Sequence, residues 1–295
     1  MIDLHLHTNY SDGTDSVIEL LKKAEMNKLE IISITDHDSV DAYYDIENNE
    51  IRDLFSGKIV VGTELKAYYD GIPVEVLGYG IDYNNIKIHK VDTYSIQLKV
   101  IEELKKRAKK LNLVFDENVT VSKIDPKRMF ASFTFAGELL KYDENKEILL
   151  SIGPMFDEAG FYRIHSSNKK SIFYYDESEF GISLKDAIDI IHDAGGVAIL
   201  AHPLVYPFED DKFVEIEKIL NNYNLDGLEC DYSLFSLEDR IKLRNIANKY
   251  NKYTTGGSDY HADSKPNIHM GSGIDGNLNI SSDMIKDFLE IVNTI

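Results

Sequence analysis

Apolar positions along this chain alternate between short unbroken runs and a helical spacing of three and four. The opening run Met1-Ile2-Asp3-Leu4-His5-Leu6-His7 predicts a strand that ends in the polar turn Ser11-Asp12-Gly13. On such a strand His5 and His7 share one face, while Leu4 and Leu6 face the other way. Val17, Leu20, Leu21 and Ala24 then mark a helix that Asp15 or Ser16 is placed to cap. A second strand over 31–35 stops at Asp36-His37-Asp38, and 43–51 predicts a helix. A third strand over 58–64 ends on Glu64. The turn Tyr69-Asp70-Gly71-Ile72 leads into a fourth strand over 74–79.

The alternation lapses between 88 and 181. A long amphipathic helix is expected over 94–111, on Ile96, Leu98, Ile101, Leu104 and Ala108. Arg128, Phe130, Phe133, Phe135, Leu139 and Leu140 predict a further helical element with an aromatic flank. Pro154, Gly160 and Ser166-Ser167-Asn168-Lys169-Lys170 read as loops. Regularity resumes at Ser183, which forms a capping box with Asp186 ahead of the stripe Leu184, Ala187, Ile188 and Ile191. A strand over 197–201 delivers His202-Pro203, and another covers 225–230. A helix is expected over 237–250, a last strand over 253–258 delivers Asp259-Tyr260-His261, and an amphipathic helix over 284–292 closes the chain. This order predicts an α/β fold with a parallel sheet or barrel. Residues 1–87 and 182–295 would form the barrel domain, and 88–181 an inserted, mainly helical cap.

In parallel α/β folds the mouth formed by the C-terminal strand ends carries the site. His5, His7, His37, Glu64, His202, Asp259 and His261 all fall at such ends, and Asp12 lies in the first turn. Imidazole nitrogens and carboxylate oxygens are the donors a divalent metal takes. One strand ending in histidine is unremarkable; several doing so are hard to attribute to packing.

Composition narrows the function. Of the 295 residues 43% are hydrophobic and 28% charged, which suits a soluble globular protein. The formal net charge of -19 argues against a broad nucleic-acid-binding face, though bound cations reverse the sign of a cleft locally. A single cysteine, Cys230, excludes an internal disulfide and suits the reducing cytoplasm. No apolar run approaches the ~20 residues of a membrane span, and no removable leader is expected at the N-terminus.

These segments together resemble the polymerase and histidinol phosphatase (PHP) family of metal-dependent phosphoesterases. The matching stretches are Asp3-Leu4-His5-Leu6-His7-Thr8 with Ser11-Asp12-Gly13, Thr35-Asp36-His37-Asp38, Gly62-Thr63-Glu64, Ala201-His202-Pro203 and Gly257-Ser258-Asp259-Tyr260-His261. The resemblance implies a distorted (β/α)7-type barrel and a site holding two or three divalent ions, manganese first, with iron or zinc as alternatives. It assigns His5, His7 and Asp259 to a first ion. Glu64 bridges to a second, bound also by His202, and Asp12, His37 and His261 take a third. Where the family has a histidine on the second ion, this chain has Glu75. Glu64, His202 and Asp36 are the candidate catalytic residues, with Asp36 or Asp38 either orienting a ligand histidine or merely ending the strand.

Within the family the chain looks most like the YciV/TrpH-like group, whose members act on nucleoside 3',5'-bisphosphates, other nucleotides or short RNA. That group carries an Arg-Pro-His-like motif in the cap; here the segment reads Ser132-Phe133-Thr134-Phe135-Ala136. Arg128 and Arg163 are the cap residues placed to hold a substrate phosphate, or else they form surface salt bridges. The expected partners are a small phosphorylated substrate or short single-stranded RNA, not duplex DNA or a membrane. Rival readings are a histidinol-phosphate-type phosphatase, a metal hydrolase acting on C–N or C–O bonds, and a metal-binding module without turnover. His89, His165, His192 and His269 lack ligand spacing, and Cys230 lacks a basic partner.

Overall fold

The computed structural model describes residues 1–124, 128–154 and 157–295. Strand β1 (Ile2–Leu6) leads to α1 (Val17–Met26), and β2 (Ile31–Ile34) to α2 (Asp41–Asn48). Strand β3 (Lys58–Tyr69) turns straight into β4 (Ile72–Tyr79). Helices α3 (Thr93–Lys110), α4 (Ala131–Leu139), α5 (Lys146–Ile152) and α6 (Glu158–Phe161) follow, before the short strand β5 (Ile182–Ser183) and α7 (Leu184–Asp193). The chain ends through β6 (Val197–Leu200), α8 (Lys212–Asn222), β7 (Gly227–Tyr232), α9 (Leu237–Lys249), β8 (Tyr253–Gly257) and α10 (Lys286–Leu289). Among the described residues no helix is long and apolar enough to cross a membrane.

The strands pair in the order β1-β2-β3-β4-β6-β7-β8, with β5 beside β3. Just past β8 the Asp259 amide donates to the His5 carbonyl at 2.9 Å and the His7 amide to the Tyr260 carbonyl at 3.0 Å. These bonds nearly close the sheet into a barrel. A Cβ on Gly257 would lie 2.4 Å from the Cβ of His5, so the approach of β8 to β1 requires glycine there.

Strand β4 runs antiparallel to both β3 and β6, whereas the other pairings are parallel. Strand β4 departs from the parallel arrangement at the turn expected over 69–72, for a local reason. Asp70 and Gly71 both hold positive φ, 48° and 69°, as a two-residue turn matched to strand twist requires. Because β4 is reversed, its first half lies at the mouth, and Glu75 stands opposite Lys66, two residues beyond Glu64.

Helices form where the sequence supplies caps. Ser16 with Glu19, Ser183 with Asp186 and Ser236 with Asp239 make reciprocal capping boxes at α1, α7 and α9. Helix α8, which the hydrophobic spacing did not announce, starts where the Asp211 side chain accepts from the Phe213 and Val214 amides. Gly160, expected in a loop, lies within α6.

Leu20, Leu21, Ile188, Ile219 and Leu243 belong to the core between sheet and helices. Ile2, Leu4, Leu77, Tyr79, Ile199 and Phe288 fill a second cluster. Leu4 and Leu6 therefore part company, Leu6 joining the helix-side core, and the β1 register shifts between Asp3 and Leu6. Residues 100–173 have a core of their own, built on Val100, Leu104, Phe135, Leu139, Phe161 and Phe173. The single helix expected over 284–292 is instead a 3₁₀ turn, Ser282–Ile285, followed by the brief α10. Ile285, Phe288 and Val292 all have to reach the second cluster, and Ile295 pairs with Ile59 through two backbone bonds of 2.9 and 3.1 Å.

Candidate metal centre

The mouth gathers side chains from most of the barrel. Strand β1 supplies His5 and the residue just after it, His7; Asp12 comes from the following turn and His37 from beyond β2. Glu64 lies on β3, Glu75 on β4, His202 after β6, and Asp259 and His261 after β8. Glu64 is the hub. It is fully buried, with Oε2 3.2 Å from His5 Nε2, 3.3 Å from His7 Nε2 and 3.2 Å from His37 Nδ1. Its Oε1 lies 3.0 Å from His202 Nε2.

Asp259 Oδ1 is 3.6 Å from His5 Nε2, 3.4 Å from His7 Nε2 and 3.3 Å from His261 Nδ1. Asp12 Oδ1 is 2.9 Å from His261 Nε2 and 3.7 Å from both His7 Nδ1 and His37 Nε2. Glu75 contacts His202 Nε2 at 3.3 Å and His37 Nδ1 at 3.8 Å.

Four groups of donor atoms lie within 4.8 Å of one another: His7-Asp12-His37-His261, His5-Glu64-His202, His5-His7-Asp259 and His37-Glu64-Glu75. Metal–ligand bonds of about 2.0–2.2 Å place neighbouring ligand atoms about 3 to 3.5 Å apart, the range seen for most of these contacts. His7 Nε2 and His261 Nε2 are moreover buried, and neither is aligned for a hydrogen bond with the carboxylate oxygen beside it. Both observations fit a site for divalent cations.

The site's electrostatics lead to the same conclusion. Burial alone would raise Glu64, but His5 and His37 hold it well below the usual carboxylate range. Asp259 is likewise held low against its burial, chiefly by Lys265 and His261. Burial opposes charge on His5, yet Glu229, Glu64 and Asp259 drive its pKa well up. His37 is pushed up to about 9, against burial, by Asp12, Glu64 and Glu75. His7 goes the other way, to about 3, through burial and the neighbouring His261. The carboxylates thus favour protonated His5 and His37, and a cation, which takes the neutral imidazole, competes with those protons.

The residues around the ligands fix their orientation. Glu229 on β7 is fully buried; its Oε1 lies 2.9 Å from His5 Nδ1 and its Oε2 accepts from the His202 amide at 2.8 Å. It was missed as a site residue because it sits inside a strand rather than at its end; its one signal is a carboxylate in the otherwise apolar run Leu228-Glu229-Cys230.

Tyr232 and Lys265 donate to Asp259 Oδ2 at 2.8 and 2.6 Å. Asp3 accepts from the Ser258 amide and hydroxyl at 2.8 and 2.6 Å, anchoring the end of β8; burial lifts its carboxyl to about 6 against those bonds. Asp36 accepts from the Thr8 amide and hydroxyl at 2.7 and 2.6 Å and from Ser11 Oγ at 2.7 Å. Ser11 Oγ is in turn 3.3 Å from His7 Nδ1, so Asp36 reaches a histidine through Ser11. Asp38 accepts from the Lys66 amide at 3.2 Å. Asp38, His202 and Asp259 hold φ of 47°, 23° and 61°, the kind of strained backbone that clusters at functional sites.

Arg163 is exposed, and its charge is felt by Tyr232 and Lys212. Arg128 is exposed at the approach to α4, where its carbonyl accepts from the Ser122 amide, and none of the described ligand residues contacts it. His192 pairs with Asp226 at 2.7 Å, and His165 packs against Phe161 within the 100–173 core. Burial pushes the Cys230 thiol well up, which removes it as a nucleophile.

The chain matches the family model of the PHP domain across residues 3–163. A 5'-3' exoribonuclease from Haemophilus influenzae is 26% identical over 261 residues, covering 88% of this chain and 89% of its own length. A 3',5'-nucleoside bisphosphate phosphatase from Chromobacterium violaceum is 24% identical over 265 residues, covering 88% and 87% respectively. A candidate metal-dependent phosphoesterase from Bifidobacterium adolescentis, solved by crystallography, superposes with a TM-score of 0.65 at 22% identity, over 99% of this chain and 96% of that one.

Proposed function

Since the chain belongs to the PHP domain family and is a phosphoesterase, we propose that it hydrolyses small phosphate monoesters: nucleotides, nucleoside 3',5'-bisphosphates or short oligoribonucleotides. The observation that carries this reading is the convergence of four imidazoles on the two oxygens of Glu64. His5, His7 and Asp259 would hold one cation, and Glu64 would be shared with a second on His202 and Glu75. Asp12, His37 and His261 would hold a third. Manganese is the first choice, with iron or zinc as alternatives. Bound cations supply Lewis acidity, acidifying water and neutralising charge on a phosphoryl group.

The chain's own residues supply position. Glu64 keeps the donors in register, and Glu229 fixes the His5 ring. Asp36 steadies the loop of Thr8 and Ser11, while Tyr232 and Lys265 hold Asp259 against the histidines. No side-chain nucleophile is needed, as in phosphoryl transfer to water generally.

Residues 88–181 would form a cap over the mouth, supported by the separate core of 100–173 and by the reach of the Arg163 charge to Tyr232. Such a cap excludes bulk water and large substrates. The net charge of -19 further disfavours long polyanions, whose binding needs many cationic contacts. A lone buried cysteine suits the cytoplasm.

The test is a phosphate-release screen of the manganese-loaded protein. Inorganic phosphate is expected from adenosine 3',5'-bisphosphate, and nucleotide products, followed separately, from short RNA, with little degradation of duplex DNA. Efficient digestion of long duplex, or no release from any phosphate ester, contradicts the reading.

Glu75 is separately testable. Glu75→Gln keeps the shape but loses one charge between His202 and His37. Metal content should fall by about one equivalent while His5, His7 and Asp259 keep theirs, and elemental analysis with wild-type stoichiometry would remove Glu75 from the ligand set.

A further inference from the structure

Asp259 divides its two oxygens between two sets of partners. Oδ1 faces the mouth, 3.6 Å from His5 Nε2, 3.4 Å from His7 Nε2 and 3.3 Å from His261 Nδ1. Oδ2 accepts from the Tyr232 hydroxyl at 2.8 Å and from the Lys265 ammonium at 2.6 Å. An ionised carboxylate offers about two lone-pair sites on each oxygen, so these two donors fill Oδ2. Glu64 is arranged differently, with both of its oxygens against imidazoles.

The two donors come from separate elements, and each is held in place. Tyr232 ends β7 and is buried, its ring centre 5.2 Å from that of His202 and 5.0 Å from that of Phe235. Lys265 follows the 3₁₀ turn Ala262–Ser264, and its amide donates to the Ala262 carbonyl at 3.1 Å. The charges of Asp259, Asp12 and Glu64 all act on its ammonium. An ammonium against a ligand carboxylate repels any cation bound there. Were tight binding the only demand on Asp259, a neutral donor would serve Oδ2 as well.

We propose that Tyr232 and Lys265 are positioning residues that limit Asp259 to one oxygen at the cation shared with His5 and His7, and so keep a place on that cation for water or substrate. His5, His7, Glu64 and Asp259 Oδ1 already offer it donors from four side chains. A further one from Oδ2 would take the place that catalytic sites leave open. The proposal rests on reading this cluster as the cation site of a phosphoesterase. The competing role is purely structural: the pair would only hold Asp259 in the mouth, and the cation would be lost with it.

Cobalt separates the two roles, because its visible absorption weakens as ligands are added. Wild type, Tyr232→Phe, Lys265→Met, the double variant and Lys265→Arg are loaded with cobalt, and absorption, cobalt affinity and kcat are measured on each. In the double variant Oδ2 is released to join the cation. Its absorption should weaken, cobalt should be held at least as tightly as in wild type, and kcat should fall by about tenfold. Tyr232→Phe keeps the packing on His202 and Phe235 and should shift the spectrum in the same direction, so it carries the test should the double variant not fold. Lys265→Arg still donates to Oδ2 and should keep the wild-type spectrum. A wild-type spectrum in the double variant, or looser cobalt binding, overturns the proposal. If wild type takes up cobalt but hydrolyses no phosphate ester, the phosphoesterase reading alone fails, and spectrum and affinity still decide the roles of Tyr232 and Lys265.

Discussion

Replacing Glu64 by alanine should cut phosphate release by about 10³-fold, equivalent to about 4 kcal/mol of transition-state stabilisation, and strip most of the bound metal. Among the described residues no other side chain at the mouth touches four imidazoles. Without its carboxylate, His5, His7, His37 and His202 lose the group that spaces them, and the protonated rings are left without their central counter-charge. Glu64→Gln keeps the volume and removes only the charge, so it separates this effect from a cavity. Elemental analysis and kcat are the readouts. Wild-type metal content in Glu64→Ala would show that the histidines assemble without it.

The second large effect is expected at Glu229, which touches no cation site directly. Glu229→Gln should lower metal affinity or activity by about 10- to 100-fold, the usual consequence of losing a carboxylate that orients a ligand histidine. A glutamine still accepts one bond, but its amide nitrogen must face either His5 Nδ1 or the His202 amide, both of which Glu229 now serves as a carboxylate. Metal titration measures the loss, and a thermal melt shows whether the variant remains folded. An unchanged titration curve would reduce Glu229 to a buried polar residue of β7.

Much of this site was legible because its ligands punctuate the sequence. His37 and His202 each follow an apolar run, and an apolar run that stops on a metal-binding side chain is a signal of strand end and chemistry together; Asp259 and His261 follow the less apolar strand over 253–258. Glu229 gave no such signal, since a strand interior is where sequence reading expects packing. The roles of Asp3, Tyr232 and Lys265 depend on contacts between segments remote in the chain, which periodicity does not encode. Asp36 was legible as a site residue, but its route to His7 runs through Ser11 and needs coordinates to be seen.

The fold shows the same division. Strands and helices followed from spacing, with Ser16 and Ser183 marking two of the helix starts. The Asp70-Gly71 turn between two strands was legible too, but the antiparallel place of β4 between β3 and β6 was not, since strand order is not written in local spacing. Nor was the break at 284–292, where apolar residues at helical spacing are instead distributed by a 3₁₀ turn and one short helix beneath Tyr79 and Ile199.

A metal-stripped sample titrated with manganese, with phosphate release from adenosine 3',5'-bisphosphate followed at each addition, tests the central claim most directly. The account predicts no turnover in the stripped protein, little at one equivalent, and saturation at two to three equivalents per chain, because the donor atoms form overlapping groups joined through Glu64. Full activity in the stripped protein or at a single equivalent would contradict it.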